Sequence, residues 1–343
     1  MQAVRLHEYG QRPVVEDVPE PAVTGPHDVI VRVGGAGLCR TDLHIIEGQW
    51  REKSGVSLPY ILGHENAGWV HAVGGAVEHL REGDPVIVHP LMTCGYCRAC
   101  RAGDDMHCAA SAFPGIDADG GFAQLLRTSA RSVVALDPQV RPEDVAALAD
   151  AGLTAYHAAK KAAAILDPGT YALVIGAGGL GHIGVQSLKA LTAATVIVVD
   201  PSQAAIELAR DSGADHAFLA DREHVAKVLG LTGGHGCEAV LDFVGEGTAI
   251  RDGITTLRRA GTYYVIGYGG TLAVPAIDII SSEINLVGNL VGTYNDLVEL
   301  MSLAAAGRVS LRTRTYPLSA ASTAMDDLEH GRLAGRGILV PDR

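Results

Sequence analysis

The stretch that decides the fold reads Val174-Ile175-Gly176-Ala177-Gly178-Gly179-Leu180-Gly181. It places the pattern G-x-G-x-x-G directly after an apolar run and before a segment of helical character. Gly176 permits a tight turn, Gly178 lets a pyrophosphate approach the backbone, and Gly181 lets the helix pack closely on the strand. The first turn of the helix offers N–H groups to phosphates. The stretch, Gly179 and Leu180 included, therefore predicts a dinucleotide-binding strand–loop–helix unit.

An acidic residue follows this unit at the expected distance. The next apolar run, residues 195–199, ends at Asp200, which lies 19 positions after Gly181. A carboxylate at this point accepts hydrogen bonds from the adenosine ribose and repels the 2′-phosphate of NADP. We therefore expect the cofactor to be NAD. A glycine-rich loop that binds nothing is the alternative, and the complete strand–loop–helix–strand–Asp context disfavours it.

Strands and helices alternate on both sides of the glycine stretch, from about residue 150 onward. The predicted strands are residues 172–175, 195–199, 239–243, 263–266 and 286–290, and the predicted helices are residues 181–191 and 202–212. Continuously apolar strands alternating with helices indicate a doubly wound parallel sheet of the α/β class. The first third of the chain instead has short β-branched runs, such as residues 29–33 and 85–88, which predict a mostly-β domain. We expect the tail from about residue 293 to rejoin it.

Composition limits the possible functions. The chain has 343 residues, which suggests two domains, and 48% hydrophobic residues, which suffice for a large core. A net charge of −12 disfavours non-specific nucleic-acid binding. Residues 1–10 lack the apolar run of a signal peptide, and no stretch approaches the roughly 20 apolar residues of a membrane span. We expect a cytoplasmic protein that binds neither nucleic acid nor membrane.

Four of the six cysteines lie within 15 consecutive residues, namely Cys94, Cys97, Cys100 and Cys108. Four thiolates suit tetrahedral Zn²⁺, and a site filled by four cysteines leaves no position for water. We therefore predict a structural zinc site. Two disulfides or buried thiols are the alternative, which the dense spacing and the expected reducing compartment disfavour.

A second metal centre is suggested by Cys39 and by His64 in Gly63-His64-Glu65. A catalytic zinc needs three protein ligands and one open position. Asp150 or Glu65 could supply the third ligand. Taken singly, Cys39 could be a buried small side chain, His64 a core histidine and Asp150 a helix cap. Together with the separate four-cysteine motif, they favour a catalytic zinc.

These motifs, in this order along essentially the whole chain, resemble the zinc-dependent medium-chain alcohol dehydrogenases. The stretch Asp150-Ala-Gly-Leu-Thr-Ala-Tyr156-His157 is most similar to the short bacterial NAD-dependent secondary-alcohol enzymes. The resemblance implies a GroES-like, mostly-β catalytic domain of residues 1–150 with 291–343, and a Rossmann NAD-binding domain of residues 151–290. It also implies NAD and the catalytic zinc in a cleft between the domains, two zinc ions per chain, and a homo-oligomer, with a tetramer favoured over a dimer.

The resemblance further assigns roles to individual positions. Cys39, His64 and Asp150 would hold the catalytic zinc, Glu65 would lie behind it, and Asp42 would orient His64. Arg40 and Arg336 would neutralise the pyrophosphate. The nicotinamide would be positioned by Thr154 and Leu180, and by backbone groups near Ile266, Leu290 and Gly292.

The expected reaction is reversible hydride transfer between an alcohol and NAD, which gives an aldehyde or ketone. Zinc would act as a Lewis acid, and the proton would leave through Thr41, the NAD ribose and His44, because hydroxyl and imidazole groups both relay protons. The candidate substrate-pocket residues are Ile45, Trp50, Pro90, Leu91, Met92 and Tyr294, and their apolar character favours a hydrophobic primary or secondary alcohol. Trp50 could equally be ordinary packing.

Four other functions compete with this interpretation. A polyol or threonine dehydrogenase of the same family remains the main alternative. A zinc-free quinone or enoyl reductase is disfavoured by the cysteine and histidine ligands. A non-catalytic nucleotide-binding protein is disfavoured because no ligand or relay residue is missing. A zinc-ribbon interaction module is disfavoured by the acidic chain and the complete dinucleotide motif.

Overall fold

The protein is described here by a computed structural model that covers residues 1–342 and divides into two compact units. Unit 1 comprises Met1–Leu153, Gly292–Ala305 and the described residues from Leu311 onward. Unit 2 comprises Thr154–Val291 and Ala306–Ser310. The chain therefore leaves unit 1 after Leu153 to build most of unit 2, and leaves it again after Ala305 for five residues.

The strands and helices alternate along the chain as follows. The strands are β1 (Gln2–Leu6), β2 (Val14–Asp17), β3 (Asp28–Leu38), β4 (Tyr60–Ile61), β5 (Glu65–Val73), β6 (Pro85–Val88), β7 (Leu125–Ser129), β8 (Val133–Ala135), β9 (Tyr171–Ile175), β10 (Thr195–Asp200), β11 (His216–Leu219), β12 (Cys237–Asp242), β13 (Leu257–Val265), β14 (Asn285–Gly288), β15 (Thr313–Pro317) and β16 (Arg336–Val340). The helices are α1 (Arg40–Ile46), α2 (Arg51–Ser54), α3 (Arg98–Ala102), α4 (Pro142–Val145), α5 (Ala151–Ala163), α6 (Gly181–Leu191), α7 (Gln203–Asp211), α8 (His224–Leu231), α9 (Ala249–Thr255), α10 (Ala276–Ser282), α11 (Tyr294–Ala305) and α12 (Ala321–Glu329). Short 3₁₀ segments occupy Asp105–His107, Ala130–Ser132, Ala146–Leu148 and Leu318–Ala320.

Unit 2 is built on a six-stranded parallel sheet with the strand order β11-β10-β9-β12-β13-β14. This is the doubly wound Rossmann order, and the winding direction reverses between β9 and β12. The predicted α/β class and doubly wound sheet are therefore confirmed. Ligands of such sheets bind at the carboxyl ends of the strands beside the reversal point.

The alternation of side chains along β9 explains why both faces of this sheet are covered. Ala172 and Val174 pack on one face with apolar residues of α5, α6 and α7. Leu173 and Ile175 point to the other face, where Val228 of α8 packs. Each fully buried aliphatic side chain contributes roughly 1.5–3 kcal/mol. A strand buried on both faces reads as a continuous apolar run, which is the pattern seen in the sequence.

Unit 1 contains a sheet ordered β15-β16-β3-β5-β6-β8, in which β7 also pairs with β3, and a smaller sheet ordered β2-β1-β4. Two antiparallel pairings of β3 position the site. The β3–β5 register places Gly37 opposite Glu65. The β16–β3 register places Gly337 opposite Leu38. The end of β3, the start of β5 and the start of β16 therefore lie side by side, at the same ends of three neighbouring strands.

The sequence-based boundaries of some regular elements agree closely with the structure, and others agree only in part. Helix 181–191 coincides with α6, and strand 195–199 lies within β10. The strand predicted at 286–290 ends at Gly288, and the one at 29–33 is only the middle of the eleven-residue β3. Of the helices formed by residues 1–342, none combines the length and the apolar character that a membrane crossing requires.

Candidate active site and metal centres

Four potential metal ligands converge in unit 1. Cys39 follows the last residue of β3, His64 and Glu65 lie at the start of β5, and Asp150 immediately precedes α5. One ligand atom from each of these four residues lies within 4.8 Å of those of the other three. The pairing of β3 with β5 brings the first three together, and the 3₁₀ segment before Asp150 packs against both strands.

The environment of His64 is that of a metal ligand. Its side chain is buried, and within the described part of the chain neither ring nitrogen makes a hydrogen bond. Its Nδ1 lies 3.3 Å from Asp42 Oδ1 and its Nε2 lies 3.4 Å from Asp150 Oδ2. Although burial lowers it, the Asp42 and Asp150 carboxylates raise the pKa of His64 well above its usual value. The imidazole nitrogen, the Cys39 sulfur and the carboxylate oxygens together form a donor set that suits Zn²⁺.

Asp42 links the first helix to this cluster. Its Oδ2 accepts a hydrogen bond from the Cys39 backbone N–H at 2.8 Å, while its Oδ1 faces His64. The carboxylate is fully buried at the first turn of α1, where a negative charge is favoured. Asp42 therefore fixes the orientation of the imidazole relative to Cys39, which is the arrangement that metal-binding histidines commonly use.

Glu65 and Arg336 form a buried ion pair beside the cluster. The Arg336 guanidinium Nη2 donates to Glu65 Oε1, and the two residues are 4% and 0% exposed. Gly37 makes room for this pair, because a Cβ there would lie 2.0 Å from Glu65 Oε2. Arg336 also interacts with Cys39. The pyrophosphate role that the resemblance implies for Arg336 stays a prediction; in this structure its guanidinium is directed at Glu65.

The four-cysteine motif forms a second cluster in unit 1. Its sulfur atoms also lie within 4.8 Å of one another. All four are free thiols, and the Cys94 and Cys100 sulfurs are 4.0 Å apart, about twice a disulfide bond length of ~2.05 Å. Backbone N–H groups of Cys94, Cys97 and Cys100 approach the sulfurs of Cys108, Cys94 and Cys97 at 3.3–3.5 Å.

The N–H contacts to the sulfurs of Cys94 and Cys97 stabilise their thiolates and lower the pKa of both. The Cys100 N–H at the start of α3 lowers the pKa of Cys97 to about 6. A thiolate is the form of cysteine that binds zinc. Four sulfurs at this spacing fill a tetrahedral shell, so the site is structural zinc, and the disulfide alternative is not what the structure contains.

In unit 2, the three motif glycines have different surroundings. Gly176 has φ +85°, and a Cβ there would meet a Val244 methyl at 2.6 Å. A Cβ on Gly181 would lie 1.7 Å from the Gly176 carbonyl oxygen. A Cβ on Gly178 would meet no described atom within 4 Å, and Gly178, Gly179 and Leu180 are half-buried at the loop. The open space beside Gly178 is where a pyrophosphate would approach.

Asp200 stabilises this loop directly. Its Oδ2 accepts a hydrogen bond from the Ala177 N–H at 2.8 Å, and its Oδ1 accepts one from the Ser202 N–H at 2.7 Å. Each carboxylate oxygen has a second lone pair, so these bonds are compatible with a ribose hydroxyl donating as well.

The remaining predicted cofactor residues are spread over both units. Thr154 and Ile266 of unit 2 are half-buried, and the Thr154 carbonyl accepts a hydrogen bond from Asn289. Leu290 is 53% exposed. The Gly292 carbonyl, in unit 1, lies 3.0 Å from His89 Nε2. Arg40 is exposed at the start of α1, the helix that also carries Thr41 and His44.

The predicted substrate-pocket residues have different surroundings in unit 1. Ile45 is 1% exposed and belongs to the core of unit 1, against which Trp50 also packs. Pro90 is buried in the segment after β6. The Tyr294 hydroxyl donates to the Val133 carbonyl, and its ring lines a cavity of about 710 Å³ beside Cys94 and Cys100. The composition of the substrate pocket stays a prediction.

Apart from Gly176, the residues that line a cavity of about 260 Å³ in unit 2 were not predicted as site residues from the sequence. They lie beyond the carboxyl ends of β9, β10 and β12, and include Pro201, His224, Val244 and Asp252. Glycines at positions 245 and 247 directly after a buried strand were the available signal, since they indicate a tight turn at the ligand edge of the sheet.

Comparison with known proteins identifies the family. The alcohol dehydrogenase GroES-like domain matches residues 25–138, and the zinc-binding dehydrogenase domain matches residues 179–306. An NAD-dependent alcohol dehydrogenase of Sulfurisphaera tokodaii is 35% identical over 99% of this chain and 100% of its own length. An alcohol dehydrogenase of Geobacillus stearothermophilus is 31% identical over the full length of both.

Solved structures agree with these matches. The alcohol dehydrogenase of the archaeon Aeropyrum pernix superposes with a TM-score of 0.97 at 47% identity, covering 99% of this chain and all of that one. The GroES-like and Rossmann expectations are confirmed, as is the family expected from the motifs. The chain belongs to the zinc-dependent medium-chain alcohol dehydrogenase family.

Proposed function

We propose that this chain is an NAD-dependent zinc alcohol dehydrogenase that oxidises a hydrophobic primary or secondary alcohol, reversibly, to an aldehyde or ketone. In the oxidative direction the carbon–hydrogen bond breaks, the hydride passes to NAD⁺, and the hydroxyl proton is released. The observation that carries the proposal is the joint presence of the Cys39–His64–carboxylate cluster and the open glycine loop in one chain.

The ligands of the catalytic zinc are Cys39, His64 and Asp150 in this proposal. Glu65 lies behind them, because one of its oxygens already accepts from Arg336. Zinc supplies a Lewis acid that favours loss of the alcohol proton, and NAD supplies the hydride acceptor. The side chains of Thr41 and His44, which stand on α1 next to the cluster in sequence, pass that proton towards solvent.

Charge supports NAD over NADP. The carboxylate of Asp200 ends β10, and the exposed carboxylate of Glu246 lines the cavity of unit 2. Two negative charges beside an adenosine site oppose a 2′-phosphate. Relatives from Sulfurisphaera tokodaii and Saccharolobus solfataricus carry the name NAD-dependent alcohol dehydrogenase.

We also assign the catalytic domain to residues 1–150 with 291–343 and the NAD-binding domain to residues 151–290. The assembly is proposed to be a homotetramer in the cytoplasm, as in the short bacterial enzymes that the sequence resembles. Light scattering on the purified protein tests the assembly, and a monomer would contradict it.

The function is tested with a panel of primary, secondary, benzylic and polyol substrates, each assayed with NAD and with NADP. We expect the highest kcat/KM for a hydrophobic alcohol with NAD. The Cys39→Ser variant should lose alcohol oxidation while still binding NAD in calorimetry. Preference for a polyol or threonine would replace the proposed substrate, and full activity of Cys39→Ser would refute the role of the cluster.

A further inference from the structure

The cavity of about 260 Å³ in unit 2 lies where the winding of the sheet reverses. It is lined by the ends of β9 and β10 and by the turn that follows β12, including Gly176, Val199, Pro201 and Val244. A dinucleotide crosses this crevice with its pyrophosphate at the glycine loop. If the proposed function is right, on which this inference rests, the cavity receives the adenosine half of NAD.

One wall of this cavity is the turn of residues 243–247, which we call the β12 turn. Val244 and Glu246 of the turn line the cavity. A Val244 methyl lies 2.6 Å from where a Cβ on Gly176 would stand, so the β12 turn also packs directly on the glycine loop. A displacement of the turn would therefore change the cavity and the loop together.

Asp242, the last residue of β12, holds the β12 turn from beneath. Its carboxylate is fully buried, and Oδ1 accepts hydrogen bonds from the N–H groups of Val244 at 2.8 Å and Gly245 at 2.9 Å. Its backbone carbonyl accepts from Ile266 and Gly267 at 3.0 and 2.9 Å. The conformation of the β12 turn therefore depends on the orientation of the Asp242 carboxylate.

That orientation is set by a tyrosine on the neighbouring strand. The hydroxyl of Tyr263, on β13, donates to Asp242 Oδ2, and the side chain of Tyr263 is fully buried. A buried carboxylate needs such donors, because an unmatched one is strongly penalised. Removing the hydroxyl leaves Oδ2 without this donor and lets the carboxylate rotate away from the turn.

We propose that Tyr263 and Asp242 are positioning residues for NAD, which act through the β12 turn on the adenosine half of the cofactor. Neither side chain lines the cavity. The effect is largest on adenosine, because the turn bounds that cavity, whereas of the predicted nicotinamide contacts Thr154, Leu290 and Gly292 lie outside both the turn and the glycine loop.

The test compares Tyr263→Phe with Tyr264→Phe by calorimetry of the full-length protein. Tyr264 is the next residue on β13, is 4% exposed, packs on the opposite face of the sheet, and has a hydroxyl hydrogen-bonded to Thr262. The probes are ADP-ribose, which carries the adenosine half, and nicotinamide mononucleotide, which lacks it. We expect Tyr263→Phe to raise the Kd of ADP-ribose by about 10- to 150-fold, the equivalent of one hydrogen bond to a charged group.

In the same experiment, the Kd of nicotinamide mononucleotide should stay within about twofold, and Tyr264→Phe should change neither value. Equal weakening of both probes, equal effects of the two variants, or no effect of Tyr263→Phe would overturn the inference. If Tyr263→Phe does not fold, Asp242→Asn must show the same selective loss, and an unselective result or an unchanged Kd would likewise overturn it. A wild-type protein that binds neither ADP-ribose nor NAD would instead reject the proposed function, and this inference with it.

Discussion

The glycine loop allows a sharp separation of cofactor binding from stability, by comparing Gly178→Ala with Gly181→Ala. The two positions are three residues apart, and neither has the left-handed φ that disfavours a side chain. A Cβ on Gly178 meets open space, whereas a Cβ on Gly181 would stand 1.7 Å from the Gly176 carbonyl oxygen. The protein without cofactor can therefore accommodate the Gly178→Ala methyl group, but not the Gly181→Ala methyl group.

The expected magnitudes follow from these distances. In Gly178→Ala, the loss of backbone freedom in the unfolded chain should stabilise the protein by about 0.4–1 kcal/mol. The new methyl group occupies the space that the pyrophosphate enters, and crowding of about 1–3 kcal/mol corresponds to a Kd for NAD raised by about 5- to 150-fold. In Gly181→Ala the backbone itself must shift, so we expect about 3 kcal/mol or more of destabilisation.

The assay measures the free energy of unfolding by chemical denaturation without cofactor, and the Kd of NAD by calorimetry, for both variants and the wild type. We expect Gly178→Ala to be slightly more stable than the wild type and weak in NAD binding, and Gly181→Ala to be clearly less stable than the wild type. Wild-type NAD affinity in Gly178→Ala would refute the placement of the pyrophosphate at this glycine. Equal loss of stability in the two variants would refute the packing argument.

Three further results are expected. Cys100→Ser should lower the bound zinc, measured by elemental analysis, from two ions per chain to one, and should lower Tm, whereas Cys237→Ser, at a buried thiol outside both clusters, should keep two ions. Arg336→Met should destabilise the fold by about 3–5 kcal/mol in chemical denaturation, because it leaves the buried Glu65 without its cation. The control variant Arg314→Met, at a 59% exposed side chain, should change stability by about 1 kcal/mol or less. Equal losses of stability in the two variants would contradict the argument. The Tyr316 hydroxyl and Arg332 lower the pKa of Asp327 in the folded protein. The stability that Asp327 contributes is therefore present above its usual pKa of 3.8 and is lost as the pH falls through the folded-state pKa. The Tm difference between the wild type and Asp327→Asn should shrink in acid, and a constant difference would contradict this.

Local patterns in the sequence were sufficient to predict unit 2. The glycine stretch, the apolar strands and Asp200 each report on neighbours within a few residues, and α6 coincides with the predicted helix 181–191. The role of Asp200 was only half predicted: its bond to the Ala177 N–H joins residues 23 positions apart, through the parallel pairing of β9 and β10. Hydrophobic periodicity describes the residues of a single strand or helix and does not predict such contacts between elements.

The metal clusters were predictable for a different reason. Cysteine and histidine side chains in these spacings have few other uses, so their chemistry identifies them without a fold. The contact between Glu65 and Arg336 could not be predicted in the same way, because the two residues are 271 positions apart and are brought together by the pairing of β3 with both β5 and β16. The pocket role predicted for Ile45 and Trp50 could not be separated from ordinary packing, since a core residue and a pocket residue look alike in sequence.

The central claim, that two zinc ions occupy the two clusters of unit 1, is tested most directly by anomalous X-ray scattering. Data from crystals of the active enzyme, collected on either side of the zinc absorption edge, should show two peaks per chain. We predict one peak among Cys94, Cys97, Cys100 and Cys108, and another between Cys39, His64 and Asp150. An active preparation with no peak beside Cys39 and His64 would contradict the account.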